Sequence, residues 1–256
     1  IEDEARARHA LYGFVAASDA YSTGRYVVDA AAALRDARGQ GLRPIFVGGT
    51  GLYFKALLEG LSPVPPVDET VRAHWRGEAD RVGAAALHAV LAVRDPQMAA
   101  RLKAADTQRI VRALEVLDSS GTSLSAWQRL PGVPLLDNAK VVRLVIQPDR
   151  TDLHARTDAR FDRMVADGGL AEAERLAALG LDPDLPAMRA IGVGPLISAA
   201  AGQMPVDAAI TQAKAETRQY LKRQSTWLRR NMIAWNDISS QSMEISLASA
   251  IAFIQS

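Results

Sequence analysis

The chain has 256 residues, 48% of them hydrophobic but only 5% aromatic, and a formal net charge of +1. That suffices for one large domain or two small ones, with a core of Ala, Val and Leu rather than rings. The absence of cysteine excludes disulfides and thiolate metal sites, and with so little net charge any nucleic-acid surface must come from local clusters of cations.

In chain order, Ser22 and Thr23 can cap a helix over 24–38 whose apolar face is Val27, Val28, Ala31 and Leu34, with Gly39 and Gly41 ending it. Ile45, Phe46 and Val47 form a short apolar run that predicts a buried strand over 44–47. Gly48, Gly49, Thr50 and Gly51 follow, then a helical pattern over 52–59 that Gly60 stops. Helix, strand, glycine-rich turn and helix make an α/β pattern with a parallel sheet. Open sheets of that kind hold ligands at the carboxyl ends of their strands. The turn is not a phosphate loop of the usual G-x-x-x-x-G-K-[ST] form, because Lys55 lies inside the helix with no Ser or Thr after it. From the residues alone, a plain tight turn and a ligand-holding turn with Thr50 at its rim are equally consistent.

SPVPPV, from Ser62 to Val67, can continue neither a helix nor a strand and marks a boundary. Five short helices follow: 69–82 capped by Asp68, 84–92, one opened by Asp95-Pro96, 107–118 capped by Asp106, and 122–129. The division read here is an α/β core over 1–64 and 139–256, with an inserted all-helical module over 65–138. A linker from Leu130 to Asn138 leads to a strand over 141–146, and helices are predicted over 151–166, 170–179, 186–200, 207–234 and 246–254. No run reaches membrane-spanning length, and IEDEARARHA at the start is charged rather than signal-like. The histidines, His9, His74, His88 and His154, lack metal-ligand spacing.

Three groups of side chains could carry chemistry. Lys214, Arg218, Lys222 and Arg229 share a helical stripe, with Arg223 and Arg230 close by and Tyr220 and Trp227 on another. Such a stripe is either a solvated face or a phosphate-neutralising one. Gln108, Arg109 and Arg112 open a helix, where Arg109 can pair with Asp106 and Arg112 with Glu115, or both can face a ligand. Arg156 and Arg160 lie one turn apart, either as surface residues bridged to Asp152 or Asp158, or as guanidinium groups for an anion.

GGTGLYFKALLEGLSPVPP, TVRAHW, DTQRIVRALEV, ARFDRMVADGGLAEAE and TRQYLKRQSTWLRR occur in this order between about His9 and Trp235. Together they resemble the bacterial tRNA dimethylallyltransferases (tRNA isopentenyltransferases). The resemblance implies a P-loop-NTPase-like parallel sheet, incomplete at its N-terminus, with an inserted helical tRNA-binding domain and a helical C-terminal region. It implies a nucleotide-binding, cytoplasmic, monomeric enzyme with no membrane attachment. The implied reaction moves a dimethylallyl group from dimethylallyl diphosphate, with Mg²⁺, to N6 of the adenosine beside the anticodon in a tRNA stem-loop.

By the same resemblance, Thr50 and Arg160 are catalytic, and Gly48, Gly49 and Arg160 hold the diphosphate. The implied tRNA contacts are Thr50, Arg72, Gln108, Arg109, Ile110, Val111, Arg112, Arg189, Ile191, Gly192, Lys222, Arg223, Gln224, Thr226, Trp227 and Arg229. Two departures from the family stand out. The phosphate loop and the Asp that acts as base precede Ile1 in the family, so the chain as it stands is expected to be impaired in catalysis. Val193 occupies a position where the family usually has Tyr. The second reading is a catalytically incomplete RNA-binding fragment; GGTGLYF and RQSTWLRR argue against a third, a small-molecule kinase.

Overall fold

The computed structural model describes residues 7–137, 140–238 and 243–255. Their order is α1 (Thr23–Gly39), α2 (Gly51–Glu59), α3 (Glu69–Arg94), α4 (Pro96–Ala99), α5 (Thr107–Ser120), α6 (Leu124–Trp127), β1 (Leu144–Ile146), α7 (Arg150–Met164), α8 (Leu170–Ala178), α9 (Val193–Ala200), α10 (Val206–Asn231), β2 (Asn236–Ile238) and α11 (Met243–Gln255). The architecture is mostly helical with a small parallel sheet, an α/β arrangement. The chain divides into two compact units, 1–54 with 136–256, and 55–135. The first division falls inside α2, not in the proline-rich stretch at 64/65. Asn138, the end of the predicted linker, lies outside the described residues.

The helices start where polar caps are available. The Ser22 hydroxyl accepts from the Arg25 N–H (3.2 Å), and Asp68 accepts from Thr70 N–H (2.8 Å). Asp95 accepts from Met98 N–H (3.0 Å) and Asp106 from Arg109 N–H (3.3 Å). Each satisfies a donor that the first helical turn leaves unpaired. Within α3, Gly83 sits at φ 78°, so the run is two helices meeting at a kink. In α1 the buried residues are Ala30 and Leu34, while Val28 is exposed.

In the unit 55–135, α3 packs along α5. The shared core is Trp75, Leu87, Leu91, Met98, Ile110, Leu114, Val116 and Leu124. Burial of each large aliphatic side chain contributes about 1.5–3 kcal/mol before entropy is counted. The Trp75 indole N–H donates to Asp118 (2.7 Å), which also accepts from Arg94. The incoming and outgoing chains of this unit are laced together. Leu135 N–H donates to the Leu57 carbonyl (2.9 Å), and a side chain at Gly60 would meet the Val133 backbone at 2.4 Å.

In the other unit, α8 and α10 pack on α9, and α7 packs on α10. Phe161, Ala173, Leu196, Ala199, Ala209 and Ala213 fill the contact. The alanines let the helix axes come close. A π-helical turn, Val165–Gly169, joins α7 to α8. The strands β1 and β2 are parallel, with Leu144, Val145 and Ile146 opposite Asn236, Asp237 and Ile238.

Four expectations are corrected. Residues 44–47 form no ladder among the described residues, and Ile45 and Val47 are 73% and 78% exposed. An apolar run becomes a strand only where a neighbour accepts its hydrogen bonds, and both ladder members here come from elsewhere. Second, the strand predicted over 141–146 is confined to 144–146, and its partner β2 begins just after α10, which ends at Asn231 rather than 234. The helix predicted over 186–200 begins only at Val193.

Candidate active site and nucleic-acid interface

The glycine-rich turn Gly48–Gly51 is gripped by α10. The Gln224 side-chain amide donates to the Gly49 carbonyl at 2.8 Å. A Cβ at Gly49 would lie 2.2 Å from that amide nitrogen, and one at Gly51 would lie 1.9 Å from the Trp227 ring. Neither glycine has positive φ. They are needed here because a helix side chain presses on the backbone, not because the turn is left-handed. Gly48 makes ordinary contact with the Phe54 ring, which meets Trp235 edge-on at 5.5 Å.

Thr50, between the two gripped glycines, is exposed, and its carbonyl accepts from Tyr53 N–H (2.9 Å). Tyr53 stacks on Tyr26 of α1 with ring centroids 3.9 Å apart and planes 11° apart. Burial pushes both phenols above their usual range. Tyr21 donates to Asp29 (2.8 Å), and its pKa is pushed up to about 12, first by burial and then by that bond. All three remain protonated at neutral pH. The Tyr26–Tyr53 stack between α1 and α2 carried no signal in the sequence, because its members meet only through folding.

The cations of α10 separate into two sets. Lys214 pairs with Asp162 (2.6 Å), and Arg218 makes a two-pronged contact with Asp158 (2.8 and 3.0 Å). Both are thereby committed to holding α7, so the four-residue stripe read from the sequence is not one free surface. Lys222, Arg223 and Arg229 are exposed and form no ion pair among the described residues. Arg223 lies over the Tyr220 ring at 5.9 Å. Thr226 is half-buried and bonds back to the Lys222 carbonyl (2.8 Å).

Arg160 is exposed on α7 and is not joined to the glycine turn by a hydrogen bond or ion pair among the described residues. The Arg189–Gly192 stretch precedes α9. Arg189 pairs with Asp184 (3.6 Å), and Ile191 is partly exposed. Gly192 is buried at φ 90°, and a Cβ there would meet the Phe161 ring at 2.7 Å. Its role is close packing, which removes it as a surface contact. Val193 opens α9 and is half-buried.

In the inserted unit, Arg72 pairs with Glu69 (2.7 Å), Arg109 with Asp106 (3.1 Å) and Arg112 with Glu115 (3.5 Å). The Arg72 and Arg109 pairs are solvent-accessible and weak, so those two guanidinium groups remain exchangeable with phosphate, whereas Glu115 is buried and holds Arg112 more firmly. Gln108 is exposed on the same turn. Ile110 and Val111 are 0% and 8% exposed, part of the core against α3. The helical repeat of 3.6 residues turns them inward while their neighbours face out. Their side chains are therefore withdrawn from the candidate interface.

Among the described residues no group of three or more His, Asp or Glu side chains could hold a metal ion, and no helix is long and apolar enough to cross a membrane.

A family model described as IPP transferase matches residues 1–231. The chain belongs to the IPP transferase family. It is 47% identical over 253 residues to the tRNA dimethylallyltransferase of Parvibaculum lavamentivorans, a match covering 99% of this chain and 80% of that one. It is 52% identical over 231 residues to the tRNA dimethylallyltransferase of a Bradyrhizobium species, covering 90% of this chain and 75% of that one. The fold is similar to that of the full-length tRNA isopentenylpyrophosphate transferase of Bacillus halodurans. The TM-score is 0.61 at 26% identity, over 95% of this chain and 76% of that one. Membership makes this IPP transferase chain part of an enzyme family, one of prenyl-group transfer.

Proposed function

We propose that this chain acts as a tRNA dimethylallyltransferase, moving a dimethylallyl group from its diphosphate to N6 of the adenosine beside the anticodon. The observation that carries the reading is the grip of α10 on the glycine turn. One helix both displays the exposed cations Lys222, Arg223 and Arg229 and holds the turn that presents Thr50. On this reading, RNA binding and the small-molecule site would share one element. A P-loop-NTPase-like sheet is consistent with the parallel pair β1–β2.

The target amine lies in a stacked anticodon loop, so the base must be extruded to react. The N6 lone pair then forms a bond to the allylic carbon while the carbon–oxygen bond breaks, its electron pair leaving with diphosphate. The backbone of Gly48 and Gly49 and the Arg160 guanidinium would offset the growing charge on that leaving group. Thr50 would sit where base and allyl group meet. The resemblance assigns the acceptor for the amine proton to an Asp. Mg²⁺ would accompany the diphosphate substrate, since the described residues hold no group of three or more acidic or His side chains for it.

Arg72, Gln108, Arg109 and Arg112 on the inserted unit would add phosphate contacts to the anticodon stem-loop. A monomeric, cytoplasmic enzyme suits this substrate. The test is nucleoside mass spectrometry on an anticodon stem-loop incubated with dimethylallyl diphosphate and Mg²⁺. It uses the chain alone and the chain preceded by the segment that its longer relatives carry. N6-dimethylallyladenosine is expected at the single target adenosine, and its absence with both proteins would overturn the reading.

A further inference from the structure

The two α10 side chains that touch the glycine turn are Gln224 and Trp227, three residues apart and so on one face of the helix. The two turn residues that they touch are Gly49 and Gly51, which flank Thr50 on either side. Thr50 itself stays exposed. The helix therefore pins the backbone before and after Thr50 and leaves the residue between them accessible. We infer that Gln224 and Trp227 are positioning residues for Thr50, with the Gln224 amide fixing the Gly49 carbonyl and the Trp227 ring backing Gly51. This rests on the transferase reading only in treating Thr50 as a group at the reacting centre.

The inference changes what Gln224 is for. As a half-buried amide already donating to Gly49 at 2.8 Å, it has one of its two N–H donors occupied by the protein. The stretch 43–51 has no ladder among the described residues to hold it, so side-chain bonds from α10 take on that task. Lys222 and Arg223, just before Gln224 in α10, are exposed and left for RNA.

The test compares wild type with Gln224→Ala, Gln224→Glu and Gly49→Ala. Gln224→Glu keeps the shape but loses the N–H donor, and Gly49→Ala attacks the same contact from the turn. Amide hydrogen exchange of the peptide covering 48–54 should speed up about 5–10-fold in all three, the cost of one lost hydrogen bond. A peptide covering 107–120 should not change. The dissociation constant for the anticodon stem-loop should stay within about twofold, while kcat at saturating RNA falls about 10-fold, the pattern of a lost transition-state interaction. Unchanged exchange at 48–54 would overturn the inference. So would a weakened RNA affinity with kcat intact, which would make Gln224 an RNA contact. If neither protein of the transfer assay forms product, the transferase reading fails, and the exchange measurement still decides the inference.

Discussion

Gly51 and Trp227 are in contact so close that a single added methyl would lie 1.9 Å from the indole ring. A rigid bicyclic ring gives way less easily than a flexible amide. Gly51→Ala is therefore expected to destabilise the protein by about 1–3 kcal/mol, the usual cost of overpacking. In a Trp227→Ala background the same substitution should cost almost nothing, because the clash is gone. Urea unfolding of the four proteins in this cycle measures the coupling. Additive effects would mean that the ring and the turn do not press on one another.

The division of the α10 cations predicts opposite results for neighbouring residues. Lys222→Ala with Arg223→Ala should weaken stem-loop binding by at least about 10-fold, and the salt dependence should become shallower by about 0.7 per lost phosphate contact. Arg218→Ala should leave both nearly unchanged, since Arg218 is occupied by Asp158. Its effect should appear instead as a small loss of stability, which Asp158→Ala does not add to. Filter binding across a salt series separates the two groups. Equal loss from Arg218→Ala would restore the continuous cationic stripe.

Local features were legible in the sequence. The caps at Ser22, Asp68, Asp95 and Asp106 were all readable, because a capping side chain acts on its own helix. Gly83 was readable as a stop for the same reason. What failed was non-local. The bond from Gln224 to Gly49 spans 175 residues, and no pattern at either end announces the other. The pairing of β1 with β2 was hidden because β2 is three residues long and follows a long helix by a short turn. Ile45–Val47 read as buried because they are apolar, yet burial depends on what is placed against them. Motif and periodicity also disagreed at Ile110 and Val111. The motif named five consecutive residues as contacts, while the helical repeat allows only some of them outward.

That disagreement gives a prediction within α5. Arg109 has a 75% exposed side chain, and Ile110 beside it is fully buried. Arg109→Ala should change stability by less than about 0.5 kcal/mol, as exposed pairs do, while weakening stem-loop binding several-fold. Ile110→Ala should cost about 2–5 kcal/mol through the cavity it leaves, with RNA affinity of the folded protein retained. Thermal unfolding and binding isotherms on the same two variants decide this. A stable Ile110→Ala protein with lost RNA affinity would return Ile110 to the interface.

Asp118 supplies a pH-dependent term to the inserted unit. Its carboxyl is held below the usual range, first by the hydrogen bond from Arg94 and further by the Trp75 indole. A carboxylate whose pKa is lower in the folded than in the unfolded chain adds stability above the unfolded value, near pH 4. That stability is lost as pH falls through the folded value. Asp118→Asn keeps an acceptor for Trp75 but removes the charge facing Arg94. At pH 7 the variant should be less stable by about 1 kcal/mol, modest because solvent reaches the Arg94 side. The gap should begin to narrow at about pH 4, where the unfolded chain's carboxyl takes up a proton first, and close only below the lower folded value, where the native carboxyl is protonated too and resembles the amide. Urea midpoints measured from pH 7 down to pH 3 follow the gap directly. A gap that stayed constant across this range would mean that the Asp118 charge contributes nothing and that shape alone holds Trp75 in place.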